Sequence, residues 1–107
     1  MSEQNGTEVV VTDVADRSRF EITVDGTLAG FADYKALPGR LVILHSEIDD
    51  AYQGRGLAGA LTKAALDSIR ERGLLVTPRC PYTAAYIRKH PEYLDLVDEK
   101  HRASVGG

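Results

Sequence analysis

The feature that most constrains this chain is a change of hydrophobic period near residue 50. Before it, apolar residues alternate; after it, they recur every four positions, and a glycine-rich stretch sits at the junction. Alternation puts side chains on one face of a strand, whereas a spacing of four builds one face of a helix.

Residues 8–14, EVVVTDV, are rich in β-branched side chains, and Arg19 to Asp25 alternate with Phe20, Ile22 and Val24 on one face. Both read as strands. Asp25-Gly26 signals a tight turn and Leu28 to Tyr34 resumes the pattern around Gly30, so residues 19–34 read as a hairpin. Pro38-Gly39 marks another turn, and Arg40 to Ile48, RLVILHSEI, gives a fourth strand. Connections this short exclude parallel crossovers, so the four strands form an antiparallel meander.

From Gly56 to Arg72, the residues Leu57, Leu61, Ala65 and Ile69 define the buried face of a long helix, and Gly73 is placed for its C-terminal cap. Leu74 to Thr77 then reads as a short crossover strand. Pro81 to Lys89 reads as a second helix, with proline at its start and Pro91 soon after its end. Residues 1–7 and the tail from Lys100 are expected to fray. Strands first and helices later, with one crossover, specify an α+β fold.

Composition narrows the function. A length of 107 residues with 43% apolar content fits one domain with a real core. Seven per cent aromatic residues, no Trp and a net charge of −3 argue against nucleic acid, which needs a basic face and stacking platforms. Cys80 is the single cysteine, so no intramolecular disulfide forms, and the polar start MSEQNGTE has no signal-peptide order. Without a run of about 18 apolar residues, the expectation is a cytoplasmic protein with no membrane partner. His90 and His101 have no metal-ligand spacing with Cys80 or an acidic cluster, so no metal site is expected.

The junction itself, Tyr52-Gln53-Gly54-Arg55-Gly56-Leu57-Ala58-Gly59, carries the chemistry. Glycines there leave amide N–H groups free, and a helix N-terminus adds about half a positive charge, which together make a pyrophosphate cradle. Gly54 to Gly59 also spells G-x-G-x-x-G, but it follows a meander rather than a first parallel strand, and Leu75-Val76-Thr77 stand where a ribose-binding acid belongs. A Walker loop is excluded because Ala60 and Leu61 follow Gly59.

Gln53-Gly54-Arg55-Gly56-Leu57-Ala58 resembles the Q/R-x-x-G-x-G/A acetyl-CoA loop of the GNAT superfamily of N-acetyltransferases. The flanking segments His45-Ser46-Glu47, Val76 to Tyr82 and Tyr86 to Tyr93 resemble the short, single-domain branch of that superfamily, so the likeness runs from about residue 20 to 94. The resemblance implies a GNAT-like fold and acetyl-CoA as co-substrate. Its diphosphate would meet the backbone of Gln53, Gly54, Arg55, Gly56, Leu57, Ala58 and Gly59, and its pantetheine arm would run along Ser46 to Ile48 in the splay between two strands. The two helices that larger GNAT enzymes place between their first two strands are missing, which implies an open, shallow acceptor site.

Acetyl transfer to an amine needs a base and a proton for the departing thiolate. His45 and Glu47, two apart on a strand, share a face and are the candidate bases; if Ile43 lies with them, that face is partly apolar and suits a Glu to base work. Cys80, at a helix start, is either a transient nucleophile or a small apolar lining residue. Tyr86 matches in rough position the tyrosine that protonates the thiolate in many relatives, and Tyr82, sharing its face at i, i+4, competes for that role. Asp49-Asp50 reads as a solvated loop or as an attraction for a cationic amine. The expected function is acetyl-CoA-dependent N-acetyl transfer to an unidentified amine by direct attack. The alternatives are a non-catalytic CoA or acyl-CoA binding module and, more remotely, a thiol-based redox protein centred on Cys80.

Overall fold

In a computed structural model that describes residues 8–98, the alternating half builds β1 (Val9–Val14), β2 (Arg19–Val24), β3 (Thr27–Leu37) and β4 (Arg40–Ile48). Helix α1 (Leu57–Glu71) crosses over to β5 (Leu75–Pro78), and α2 (Pro81–Lys89) follows. The five strands lie in chain order, antiparallel from β1 to β4 and parallel between β4 and β5. The α+β meander with one crossover is thus the fold adopted. Expected fraying at residues 1–7 and from Lys100 concerns residues outside the described ones.

Local chemistry explains the boundaries. Asp25 and Gly26 both adopt positive φ, 50° and 84°, the conformation a two-residue hairpin loop needs. At the end of α1, Gly73 (φ 68°) donates to the Arg70 carbonyl and Leu74 to that of Ile69, a Schellman cap. Leu74 is consumed by that cap, so β5 starts one residue later than the apolar run suggests.

The core lies between one sheet face and both helices. Phe20, Ile22, Ala32, Tyr34 and Ile43 from the strands meet Leu61, Ala65, Leu66 and Ile69 of α1 and Ile87 of α2. Each fully buried Leu or Ile contributes roughly 1.5–3 kcal/mol of burial free energy. Residues after α2, left unassigned by periodicity, also belong to the core: Tyr93, Leu96 and Val97 are buried, and Val97 bridges Val76 on the outer edge of β5. A short 3-10 turn, Pro91–Leu96, carries two of them, too few residues for a period to show. Arg70 holds this segment to α1 with paired bonds of 2.9 and 3.0 Å to Asp95.

One irregularity positions the site. Across β3 and β4, Tyr34 pairs with Ile43 and Asp33 with His45, so Leu44 is bulged out and 46% exposed. An extra residue reverses the alternation that follows it. Ile43 therefore faces the helices, while His45 and Glu47 face the opposite, helix-free side of the sheet. Ser46 and Ile48 take the inward positions opposite Ala32 and Gly30. The condition that Ile43 share a face with His45 and Glu47 is not met, so Ile43 is no apolar neighbour to that pair.

Candidate functional site

The bulge also opens the sheet. Parallel pairing of β4 with β5 stops at Ile43 and Pro78, and the last link is the Cys80 N–H donating to the Ile43 carbonyl at 2.9 Å. Pro78 and Pro81 have no N–H to continue the ladder. From Leu44 to Ile48, the β4 edge turned away from β3 thus has no strand partner among the described residues.

The glycine-rich turn closes the end of this splay. Asp49 accepts from the Ala51 N–H and starts a 3-10 turn, Asp50–Tyr52; Gln53 then anchors the loop through its side-chain amide, donating to the Ile48 carbonyl at 2.8 Å. Gly54 and Gly56 have φ of 80° and 75°, a left-handed backbone that an L side chain strains, and Gly56 is the N-cap of α1. Only Gly59 of the three lies inside the helix, so the turn's own geometry accounts for the other two glycines. No side chain caps α1, and no described residue accepts from the N–H groups of Gly54, Arg55 or Gly56. The free donors and the helix dipole leave a local positive potential.

Two adjoining cavities, of about 450 and 90 Å³, share Ile48, Gln53, Ala58 and Tyr82 in their walls and form one groove from β4 to the start of α1. Ser46 and Glu47 line its strand end; Gly54, Gly56, Leu57 and Gly59 line its loop end. Arg55 turns outward, its guanidinium 5.4 Å from the centre of the Tyr52 ring. Asp50 and Leu61 also line the groove; spacing marked Leu61 only as a core position of the helix and Asp50 only as part of an acidic loop.

The catalytic candidates separate. His45 Nε2 lies 2.8 Å from Glu47 Oε2, and Glu47, but not His45, lines the groove. The hydrogen bond to Glu47, opposed by desolvation and then aided by the Glu47 charge, holds the His45 pKa above the ordinary imidazole value. Cys80 is buried at 3% exposure, its Sγ 3.4 Å from Ser46 Oγ. Burial pushes its thiol up, but the Ser46 hydroxyl, the Thr83 N–H and hydroxyl, and the Tyr82 N–H outweigh it and leave the pKa below the usual value. Tyr86 stacks on His90 with ring centres 4.0 Å apart and lies outside the groove lining. Tyr82, one turn nearer the start of α2, lines the groove instead, its hydroxyl 3.6 Å from where a Cβ on Gly59 would stand. The two tyrosines share a helix face, but only Tyr82 lies along the groove lining.

A splayed parallel pair, a helix N-terminus without a side-chain cap and a carboxylate at the unpaired edge thus lie along one groove. Residues 19–96 match the family model for GCN5-related N-acetyl-transferases, and the chain belongs to that family. It is therefore a GNAT-type enzyme, of a family whose co-substrate is acetyl-CoA. Among curated proteins it is 40% identical to Protein NATD1 of Homo sapiens over 90 residues, covering 77% of this chain and 78% of that protein. The Gallus gallus Protein NATD1 is also 40% identical, over 88 residues that cover 75% of this chain and 78% of the other. A GCN5-like putative N-acetyltransferase from Staphylococcus aureus, solved by NMR, shares the fold with a TM-score of 0.63 at 20% identity, covering 89% of this chain and 91% of that one. The ribosomal-protein-S18-alanine N-acetyltransferase of Escherichia coli aligns at 27% identity and a TM-score of 0.51 over 54% of this chain, which spans only 38% of that enzyme. Among the described residues, no helix is long and apolar enough to cross a membrane, and no group of His, Cys, Asp or Glu is arranged to hold a metal ion.

Proposed function

We propose that the protein transfers an acetyl group from acetyl-CoA to an amine by direct attack in a ternary complex. The observation that carries this is the continuity of the groove: free amides at the start of α1 adjoin the unpaired β4 edge, and Glu47 stands at the far end. A diphosphate fits the first, because uncapped N–H groups and a helix dipole suit an anion. An amide-bearing pantetheine arm fits the second, because an open strand edge offers alternating donors and acceptors. Acetyl-CoA supplies the acetyl group already activated as a thioester.

Glu47 is the base in this reading, accepting the proton that an ammonium must lose before its nitrogen can bond to the acetyl carbon. His45 is a positioning residue that orients the carboxylate and shares its proton. As the carbon–sulfur bond breaks, the Tyr82 hydroxyl donates a proton to the departing thiolate and recovers one, through solvent, from the second proton that the nitrogen of the collapsing adduct loses. The balance is an ammonium and a thioester in, an amide, a thiol and one proton out. Cys80 lines the splay as a small polarisable side chain. A cytoplasmic location belongs to the proposal, supported by the lone cysteine and by a co-substrate of the cell interior.

Incubation with acetyl-CoA tests the reading. The expected results are thermal stabilisation of the protein and release of CoA in the presence of amines; no stabilisation at millimolar acetyl-CoA overturns it. A second reading, a CoA-binding module without acceptor chemistry, is favoured by the short connection of residues 15–18, built on the turn Ala15–Arg17, which joins β1 to β2 and leaves the acceptor side without helices. It predicts stabilisation without turnover across an amine panel.

A further inference from the structure

We infer that the acceptor is an alkylammonium group, received in a separate cavity on the helix-free face of the sheet, an inference that rests on the acetyl transfer proposed above. This cavity, of about 160 Å³, is lined by Leu28, Ala29, Gly30, Phe31, Glu47 and Asp49. Glu47 also lines the groove on the other side of the β4 edge. A group shared by two cavities marks the place where the contents of one meet the contents of the other.

Two bulges shape it. Between β2 and β3, Ile22 pairs with Gly30 and Thr23 with Leu28, so Ala29 is the extra residue and is buried. Leu28 and Phe31 are thereby left on the open face, Leu28 at 42% exposure. The Leu44 bulge brings Glu47 to the same face, opposite Phe31. An apolar wall and a carboxylate thus converge although neither strand alone would place them together.

Charge and size set the chemical class. Glu47 is paired only with His45, and neither Glu47 nor Asp49 is paired with a lysine or arginine among the described residues. Asp49 uses one oxygen on the Ala51 N–H, which leaves the other for a ligand. Glu47, which shares its charge with the His45 imidazolium, and Asp49 together leave the cavity net negative, which favours an ammonium and repels an amine that carries its own carboxylate. The cavity, about 160 Å³ and open to solvent, admits a short alkyl chain. The chain lies along Leu28 and Phe31, with its ammonium toward Glu47. A free alkylamine and a lysine side chain share this chemistry.

The test uses n-hexylammonium and hexanoate, titrated separately into the full chain without acetyl-CoA and followed by backbone amide NMR. Saturable shifts at Leu28 to Phe31, Glu47 and Asp49 are expected with the ammonium and absent with hexanoate. Asp49→Asn or Phe31→Ala weakens the ammonium response by about fivefold. Equal shifts with hexanoate, shifts confined to residues 53–59, or no shift with the ammonium overturn the inference. Acetylation of hexylamine alone points to free amines, and of a lysine peptide alone to side chains. A protein that binds acetyl-CoA yet acetylates only anionic amines refutes this acceptor while leaving the transfer reaction standing. Absence of acetyl-CoA stabilisation refutes the transfer reaction instead.

Discussion

Ser46 Oγ lies 3.4 Å from Cys80 Sγ, across the gap that opens where β4 and β5 part. The contact exists because the Leu44 bulge turns Ser46 inward, and it is one of the interactions that keep the Cys80 thiol below its usual pKa despite burial. Ser46→Ala raises that pKa, a shift readable from the pH dependence of thiolate ultraviolet absorbance. Because Cys80 is 3% exposed, its alkylation stays slow even when the thiolate forms. Under direct attack, Cys80→Ser retains CoA release within about tenfold, whereas a route through an acetyl-cysteine loses it.

Gly56 and Gly73 both adopt left-handed backbone at opposite ends of α1, with φ of 75° and 68°. Replacing either by Ala costs about 1 kcal/mol, seen as a lower midpoint in urea. Only Gly56→Ala also distorts the free amides of the groove, so it weakens acetyl-CoA binding by about tenfold in calorimetry while Gly73→Ala leaves the affinity unchanged.

The His45–Glu47 pair predicts a rising pH profile. Glu47 holds His45 protonated above its ordinary value, and a carboxylate bonded to an imidazolium is a poor base. CoA release should increase with pH through the raised His45 pKa. Glu47→Gln moves the imidazole resonances' titration down toward about 6.5 and lowers kcat by about a hundredfold. The pair's contribution to stability has the opposite sense: it is full below the ordinary imidazole value and is lost as pH rises through the raised one. Both groups are exposed, so that second effect is small.

Gly30 sits where β3 meets the end of β4. A Cβ there would stand 2.5 Å from the Glu47 carbonyl oxygen and 2.6 Å from Ile48 Cδ1, so Gly30→Ala forces the two strands apart. A loss of about 1–3 kcal/mol in urea unfolding is expected, together with a fall in kcat larger than any change in acetyl-CoA affinity, because Glu47 is displaced while the loop is not.

Tyr34 donates a 2.6 Å hydrogen bond to Asp13, whose other oxygen is held by Arg72. Burial first, and then the bond to and charge of Asp13, push the phenol up to about 12 from 10. Its folded value lies above its unfolded one, so the stabilisation is full below pH 10 and is lost as pH rises toward 12. Tyr34→Phe is expected to cost about 1–2 kcal/mol at neutral pH, and the gap between the two proteins closes over that alkaline window.

The α1 face of Leu57, Leu61, Ala65 and Ile69 was readable from spacing because the contacts along a helix are local, and all four are buried. The loop from Gln53 to Gly59 was readable for the same reason: Gly54, Gly56 and the helix start are fixed by the backbone around them. Tyr82 and Tyr86 were not separable, since i and i+4 look alike until the groove's position along α2 is known. Leu28, Phe31 and Asp49 carried no joint signal, because they come together only across strands.

The amino-acid sequence by itself determined the order of strands and helices, the turns at Asp25-Gly26 and Gly73, and the anion-ready start of α1. Tertiary structure alone decided which way the end of β4 faces. RLVILHSEI carries a run of four apolar residues and no mark of a break in register, yet pairing with Tyr34 and Asp33 leaves Leu44 over and reverses every side chain after it. A strand's alternation fixes which residues share a face only while its register is continuous, and register belongs to the pair of strands.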